Sequence, residues 1–194
     1  MIFLYYIITR NRELGRITGN EYCVKTIVTT ETIKRIADAN GVKCYDCYTG
    51  FKWIADVMRN HEGTARYLGG GEESYGFLAE DFCRDKDSVS AISMMCEIAA
   101  WAADKGMNLY ELLIQIYLEY GFSRERGISV VRPGKSGAEE IAAMMREFRA
   151  NPPKAILGSE VVKINDFQTL ETLDVKTGCK SPIHQDRSNV LQWF

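Results

Sequence analysis

Apolar and polar positions follow two different rhythms along this chain, and the switches between them outline its elements. The run Ile2-Phe3-Leu4-Tyr5-Tyr6-Ile7-Ile8 opens a helical pattern over 2–14 that stops at Gly15. Residues 22–28 (Tyr-Cys-Val-Lys-Thr-Ile-Val) are rich in β-branched side chains and predict a strand. Thr29-Thr30 offer caps for a helix over about 31–40, where Ile33, Ile36 and Ala37 share a face and Asn40-Gly41 end it. Residues 42–48 predict the next strand, Thr49-Gly50 a turn and 51–59 a short helix. Tyr67-Leu68 predict a brief strand running into a Gly69-Gly70-Gly71 loop.

Two longer helices follow. Residues 87–105 are apolar nearly all round, which predicts a buried helix. Asn108 then stands three residues before Glu111, a capping box with Asn in place of Ser or Thr. Behind it Leu109, Leu112, Leu113, Ile116, Tyr117 and Tyr120 keep one amphipathic stripe, closed by Gly121. Alternating strands and helices predict a layered α/β domain over 1–122. The polar stretch 123–127 reads as a linker into an incomplete α+β domain over 123–194. There the pattern predicts a strand over 128–132 and a Ser136/Glu139 capping box opening a helix to Arg149. Asn151-Pro152-Pro153 stops that helix, and a strand over 160–166, a polar loop over 168–188 and a strand over 189–194 follow. A chain stopping inside an apolar strand reads as cut, and the second stretch is near the size where one core becomes marginal.

Composition narrows the function classes. The chain is 46% hydrophobic and 26% charged, enough for a sizeable core, and its net charge of -2 gives no basic face for nucleic acid. The apolar opening has no preceding positive residues and no cleavage site, so it is not a signal segment. It is also far short of the ~20 residues that span a bilayer, and no other segment approaches that length, so no membrane partner is expected. The six cysteines include Cys44-Tyr45-Asp46-Cys47. In a strand Cys44 and Cys47 point to opposite faces, and no second pair exists for a zinc site, so they read as structural. Free, buried cysteines point to a reducing, cytoplasmic setting.

The most informative stretch is Leu68-Gly69-Gly70-Gly71-Glu72-Glu73-Ser74-Tyr75-Gly76-Phe77. Its glycines permit tight turns and close approach of a ligand. Carboxylates accepting from vicinal hydroxyls make strong, charge-assisted contacts, so the loop suits a polyol or sugar. The plainer alternative is a glycine turn before a helix, with Glu72 and Glu73 favouring the helix N-terminus. It is not a dinucleotide fingerprint, because carboxylates stand where phosphate would lie. Gly134-Lys135-Ser136 is no phosphate loop of the P-loop type either, since the upstream glycine that such a loop needs is absent. His61 and His184 lie in polar segments and read as surface residues.

Gly71-Glu72-Glu73-Ser74-Tyr75-Gly76 closely resembles the sugar-binding loop of the α-D-phosphohexomutases. Val24-Lys25-Thr26-Ile27-Val28-Thr29-Thr30, Thr49-Gly50-Phe51-Lys52-Trp53-Ile54 and Asp81-Phe82-Cys83-Arg84-Asp85-Lys86-Asp87 also resemble that family, in its order and with a bacterial phosphoglucomutase/phosphomannomutase flavour. The resemblance covers nearly the whole chain. It implies the third of four domains, with a mixed sheet sandwiched by helices, followed by the start of the fourth. It implies a parent isomerase that interconverts hexose 1-phosphate and hexose 6-phosphate through a phosphoserine, with magnesium and a hexose 1,6-bisphosphate primer. It implies that Glu72 and Ser74 contact sugar hydroxyls beside Gly71, that Glu73 is a neighbour, and that Lys52 points into the cleft. By its residues alone Lys52 reads as a solvated helix-surface lysine.

The family's Thr-Ala-Ser-His-Asn-Pro, Asp-x-Asp-x-Asp-Arg and Arg-Pro-Ser-Gly-Thr-Glu-Pro loops are absent. Arg132-Pro133-Gly134-Lys135-Ser136-Gly137 precedes the strand that the last of these follows, so it reads as a strand-to-helix junction. No catalytic or metal-binding residue is therefore expected in this chain, which depends on the parent's missing domains and is expected to be inactive alone. A free-standing, non-catalytic sugar-phosphate-binding module is the alternative. The loop fits glucose and mannose equally.

Overall fold

The computed structural model describes all 194 residues. They form two compact units, Met1–Arg126 and Gly127–Phe194. In the first, the order is α1 (Ile2–Glu13), β1 (Glu21–Thr26), α2 (Thr32–Ala39), β2 (Lys43–Cys47), α3 (Phe51–Asn60), β3 (Arg66–Gly71), β4 (Phe77–Leu78), α4 (Ser88–Asp104) and α5 (Leu109–Tyr120). The sheet runs β2-β1-β3-β4. The first three strands are parallel and β4 is antiparallel, giving the mixed α/β sheet that the family resemblance implies.

Every residue of β1 is buried, because helices cover both faces of the sheet. The period-two alternation of a strand sorts its side chains. Cys23 joins one core with Leu4 and Ile8 of α1, Ile36 of α2, Ile98 of α4, and Leu112 and Ile116 of α5. Tyr22 and Val24 join the other, with Phe51, Ile54 and Met58 of α3. The same alternation parts Cys44 from Cys47, which face the first and second cores respectively. None of the six cysteines forms a disulfide, and Cys83, Cys96 and Cys179 are exposed rather than buried as expected.

The glycine run is not a loop. Gly69, Gly70 and Gly71 are the end of β3, and none has a positive φ. They are small because neighbours press on the strand. A Cβ on Gly69 would lie 3.0 Å from Leu4 of α1, and one on Gly70 would meet the Tyr67 hydroxyl at 2.7 Å and Ile54 of α3 at 3.2 Å. The close approach is by protein on both faces.

Helix α4 also departs from expectation. Only Ile98 and Ala102 are fully buried, while Val89 and Ile92 are 71% and 65% exposed. One stripe of the helix packs on α1 and α5, and its remaining apolar surface has no cover within this unit. Glu31 is the N-cap of α2 but its side chain makes no capping bond; Thr30 Oγ1 instead accepts from the Thr32 N–H at 3.3 Å. The Asn108–Glu111 capping box forms in full.

The second unit holds α6 (Gly134–Ala150), β5 (Ala155–Ile156), β6 (Ser159–Glu160), β7 (Lys163–Asp166), β8 (Glu171–Asp174), β9 (Lys180–Pro182) and β10 (Leu191–Trp193). Its main sheet is antiparallel, ordered β10-β7-β8-β9. Residues 128–132 are not a strand: Ile128 and Val131 are exposed and have no strand to pair with. Helix α6 begins at Gly134 with Pro133 at its N-cap, so the Ser136 capping box does not form. The predicted strand over 160–166 is split between β6 and β7. The predicted 168–188 loop contains β8 and β9, joined by a turn in which the Asp174 carboxylate accepts from Thr177 N–H and Oγ1 at 2.8 Å. No helix of the chain is long and apolar enough to cross a membrane.

Candidate functional site

Because β1, β2 and β3 are parallel, their carboxyl ends share one edge. β1 leads through α2 on one face to β2, and β2 leads through α3 on the opposite face back across β1 to β3. In open α/β sheets the ligand crevice lies outside the carboxyl ends at such a crossover point. Two segments meet there, the turn after β1 (residues 27–31) and the loop after β3 (residues 72–76).

The Glu72 N–H donates to the Gly76 carbonyl at 2.8 Å and closes the loop. Gly71 lies under this closure, where a Cβ would meet the Gly76 carbonyl at 2.9 Å. The two glutamates then diverge. Glu72 Oε1 accepts from the Gly50 N–H at 2.7 Å, at the N-terminus of α3, where a carboxylate complements the helix dipole. Its Oε2 faces Lys86 Nζ at 3.5 Å, and the side chain is only 3% exposed. Glu73 Oε2 instead accepts from the Thr26 and Thr29 hydroxyls at 2.7 and 3.0 Å. Burial works against the Glu73 charge, but the Thr26 and Thr29 hydroxyls outweigh it and hold the carboxyl below the ordinary carboxylate range. The loop is thus tied to two different strands' ends, and Ser74 and Tyr75 form its exposed tip. Tyr75 has φ 62° and projects wholly into solvent.

A groove of about 720 Å³ runs beside the loop, lined by Gly71, Glu72, Glu73, Gly76 and Lys86 with an apolar wall that includes Phe3 and Ile33. Of the residues singled out in the sequence, Gly71 and Glu72 line this groove. Ser74 is exposed at the tip outside it. Lys52 is exposed on the first turn of α3, its ammonium 5.1 Å from the Trp53 ring. Lys86 was not singled out for any role, yet it faces Glu72 and lies 5.4 Å over the Phe51 ring.

Lys25 was also missed. Its side chain is fully buried, and Nζ lies 2.7 Å from Asp46 and 2.8 Å from Glu31. Burial works against the ammonium, but the Asp46 and Glu31 carboxylates outweigh it and hold its pKa above the ordinary value. The available signal was a lone charge inside an otherwise buried strand, Cys23-Val24-Lys25-Thr26. His61 is half-buried rather than a free surface residue, its ring tilted against Tyr45 and Tyr22 with centroids 4.4 and 5.0 Å away. His184 is exposed. No three His, Cys, Asp or Glu side chains converge as a metal site requires. The acidic groups around the loop are already engaged by Lys25, Gly50, Thr26 and Thr29.

Comparison with known proteins fits this architecture. Residues 2–120 match the family pattern described as phosphoglucomutase/phosphomannomutase, alpha/beta/alpha domain III. A phosphoglucomutase of Staphylococcus haemolyticus (strain JCSC1435) is 31% identical over 180 residues, covering 93% of this chain and 33% of the relative. One from Staphylococcus aureus (strain N315) is 35% identical over 169 residues, covering 87% and 31%. The chain therefore spans about a third of the length of these curated relatives. In fold it resembles the exocytosis-sensitive phosphoprotein pp63/parafusin of Paramecium, a phosphoglucomutase in its open form, with a TM-score of 0.57 at 18% identity over 98% of this chain and 31% of the other. With more than half of its residues matched by the domain III pattern and close sequence relatives along most of its length, the chain belongs to the phosphoglucomutase/phosphomannomutase family of isomerases.

Proposed function

We propose that this chain is the sugar-positioning part of a phosphohexomutase that interconverts hexose 1-phosphate and hexose 6-phosphate. In this reading residues 1–122 are the sugar-binding domain and 123–194 the start of the next. The observation that carries it is the loop Glu72–Gly76, held at the crossover edge of the sheet by bonds to two separate strand ends. A loop anchored on both sides offers preorganised groups, which is what orienting a substrate requires.

Each residue has a part. Glu72 keeps one carboxylate oxygen on the Gly50 N–H and the other beside Lys86 at the groove wall, where a bound sugar's hydroxyls can compete for it. Ser74 adds a hydroxyl from the tip. Gly71 gives the loop room to close. Lys52 reaches from the first turn of α3 as a mobile cation for a phosphoryl oxygen. Such a set, aimed at hydroxyls, can hold a hexose in either orientation between the two phosphoryl transfers. In this reading the phosphoserine, and the magnesium that would neutralise charge on the transferring group, are supplied by other segments of the parent enzyme, as the family resemblance implies. The hexose 1,6-bisphosphate primer likewise acts in the complete cytoplasmic enzyme. The chain alone is expected to give no turnover with glucose 1-phosphate, magnesium and primer in a coupled assay.

The test is an amide-resolved NMR titration with glucose 1-phosphate. Shifts confined to residues 69–76 and the surroundings of Lys52, and weakened in Glu72→Gln, support the reading. Gln keeps the bond from Gly50 N–H and removes only the charge. Shifts spread over the chain, or unchanged in Glu72→Gln, overturn it.

A further inference from the structure

Lys25 is an expensive residue to keep. Taking an ammonium out of water costs several kcal/mol even when it is paired, and apolar replacements of buried ion pairs are often neutral or stabilising. Val24 beside it and Cys23 on its own side of β1 are buried and apolar, so a Met or Leu would suit the strand. The contacts of Lys25 show where the ammonium is spent. One goes across the sheet to Asp46, its register partner on β2. Three go to the end of β1 and the turn after it: the Thr26 carbonyl at 3.4 Å, the Thr29 carbonyl at 3.5 Å and the Glu31 carboxylate at 2.8 Å. The turn therefore wraps around a single cation. Wrapping brings the Thr26 and Thr29 hydroxyls 2.8 Å apart, and both reach one oxygen of Glu73.

We propose that Lys25 is a positioning residue that fixes the outer half of the sugar loop through the Thr26–Thr29 turn and Glu73. Lys25 does not itself line the groove; its ammonium reaches the groove only through these groups, of which Thr29 and Glu73 are lining residues. The inference rests on the proposed sugar-binding role for its functional meaning, but the positioning itself stands without sugar.

The experiment uses the whole chain. Removing Lys25 alone would leave Asp46 and Glu31 without their cation, so the main variant is the triple Lys25→Met, Glu31→Gln, Asp46→Asn, which removes the buried ammonium together with both partly exposed carboxylates. The Glu73 carboxyl carbon is followed by NMR against pH. In the wild type it titrates below the ordinary range; in the triple variant it should rise toward that range while core signals such as Ile36 and Ile98 stay in place. The three changes also alter the charge around Glu73, so the titrations are repeated at high salt, which screens that change and leaves the part due to lost hydroxyl bonds. Thr29→Val, with Lys25 intact, calibrates the rise from one lost hydroxyl. A Glu73 titration unmoved or lowered in the triple variant, beside a rise in Thr29→Val, overturns the proposal.

The second arm repeats the glucose 1-phosphate titration. Affinity should fall on the order of tenfold in the triple variant, the scale of coupling between groups in one network. A wild type that binds and a triple variant that binds equally well overturn the link from Lys25 to sugar. A wild type with no sugar response sinks the proposed function, while the Glu73 titration still decides the role of Lys25.

Discussion

Residues 1–126 and 127–194 build their interiors differently. In the first unit helices lie on both faces of a parallel sheet, and even the charged Lys25 and Glu21 are sealed inside it. In the second unit only Val161 and Phe167 are buried apolar side chains, and the sheet gains its order from short antiparallel ladders, the Phe148–Trp193 ring contact and the Arg149–Asp166 ion pair. Two-sided cover gives a dry layer rigid enough to hold a loop at its edge in one arrangement. The difference explains why the candidate site belongs to the first unit.

Packing substitutions give the largest expected contrast. Ile98→Ala removes a side chain with no exposure and should cost about 2–5 kcal/mol in urea unfolding. Phe148→Ala, at a ring 37% exposed, should cost about 1 kcal/mol, and equal costs would break the comparison. Gly70→Ala comes next. Its Cβ would meet the Tyr67 hydroxyl at 2.7 Å and the Val24 carbonyl at 3.0 Å, so overpacking of about 1–3 kcal/mol is expected. A neutral result would show that the strand has slack.

Asn108→Ala should cost about 1 kcal/mol by removing the acceptor for the Tyr110 and Glu111 N–H groups, read as a lower unfolding midpoint with an unchanged slope. An acid-side effect should follow from Glu21. Burial opposes its charge, but the Thr18 N–H and hydroxyl and the Gly19 N–H outweigh it and hold the folded pKa below the ordinary 4.5. Its contribution is therefore present above pH 4.5 and lost as pH falls through the lower folded value. Glu21→Gln should flatten that limb of the stability curve; an unchanged limb would assign acid unfolding to other groups. The smallest effect is expected for Ile92→Ser on the uncovered side of α4, within about 0.5 kcal/mol. A larger loss would mean that this face is covered.

Much of the first unit was legible before any coordinates. The order of strands and helices followed from local rhythm, and the Asn108 box and the Leu112–Ile116 stripe were read at the correct residues. The Glu72–Gly76 loop was singled out by its own residues as a candidate binding loop. The second unit was read less well, since its strands of two to four residues are too short to show a period.

Local backbone state is written in side-chain spacing, and so the sequence alone determined the α/β class, the family resemblance and the place of the loop. Coverage is not written there. That the glycines form a strand pressed by α1 and α3, that α4 is bare on one side, and that Glu72 and Glu73 diverge all depend on which distant segments pack together. The same holds for Lys25. Its partners lie on another strand and in the following turn, so only the register of β1 against β2 and the closure of that turn bring four contacts to one buried ammonium.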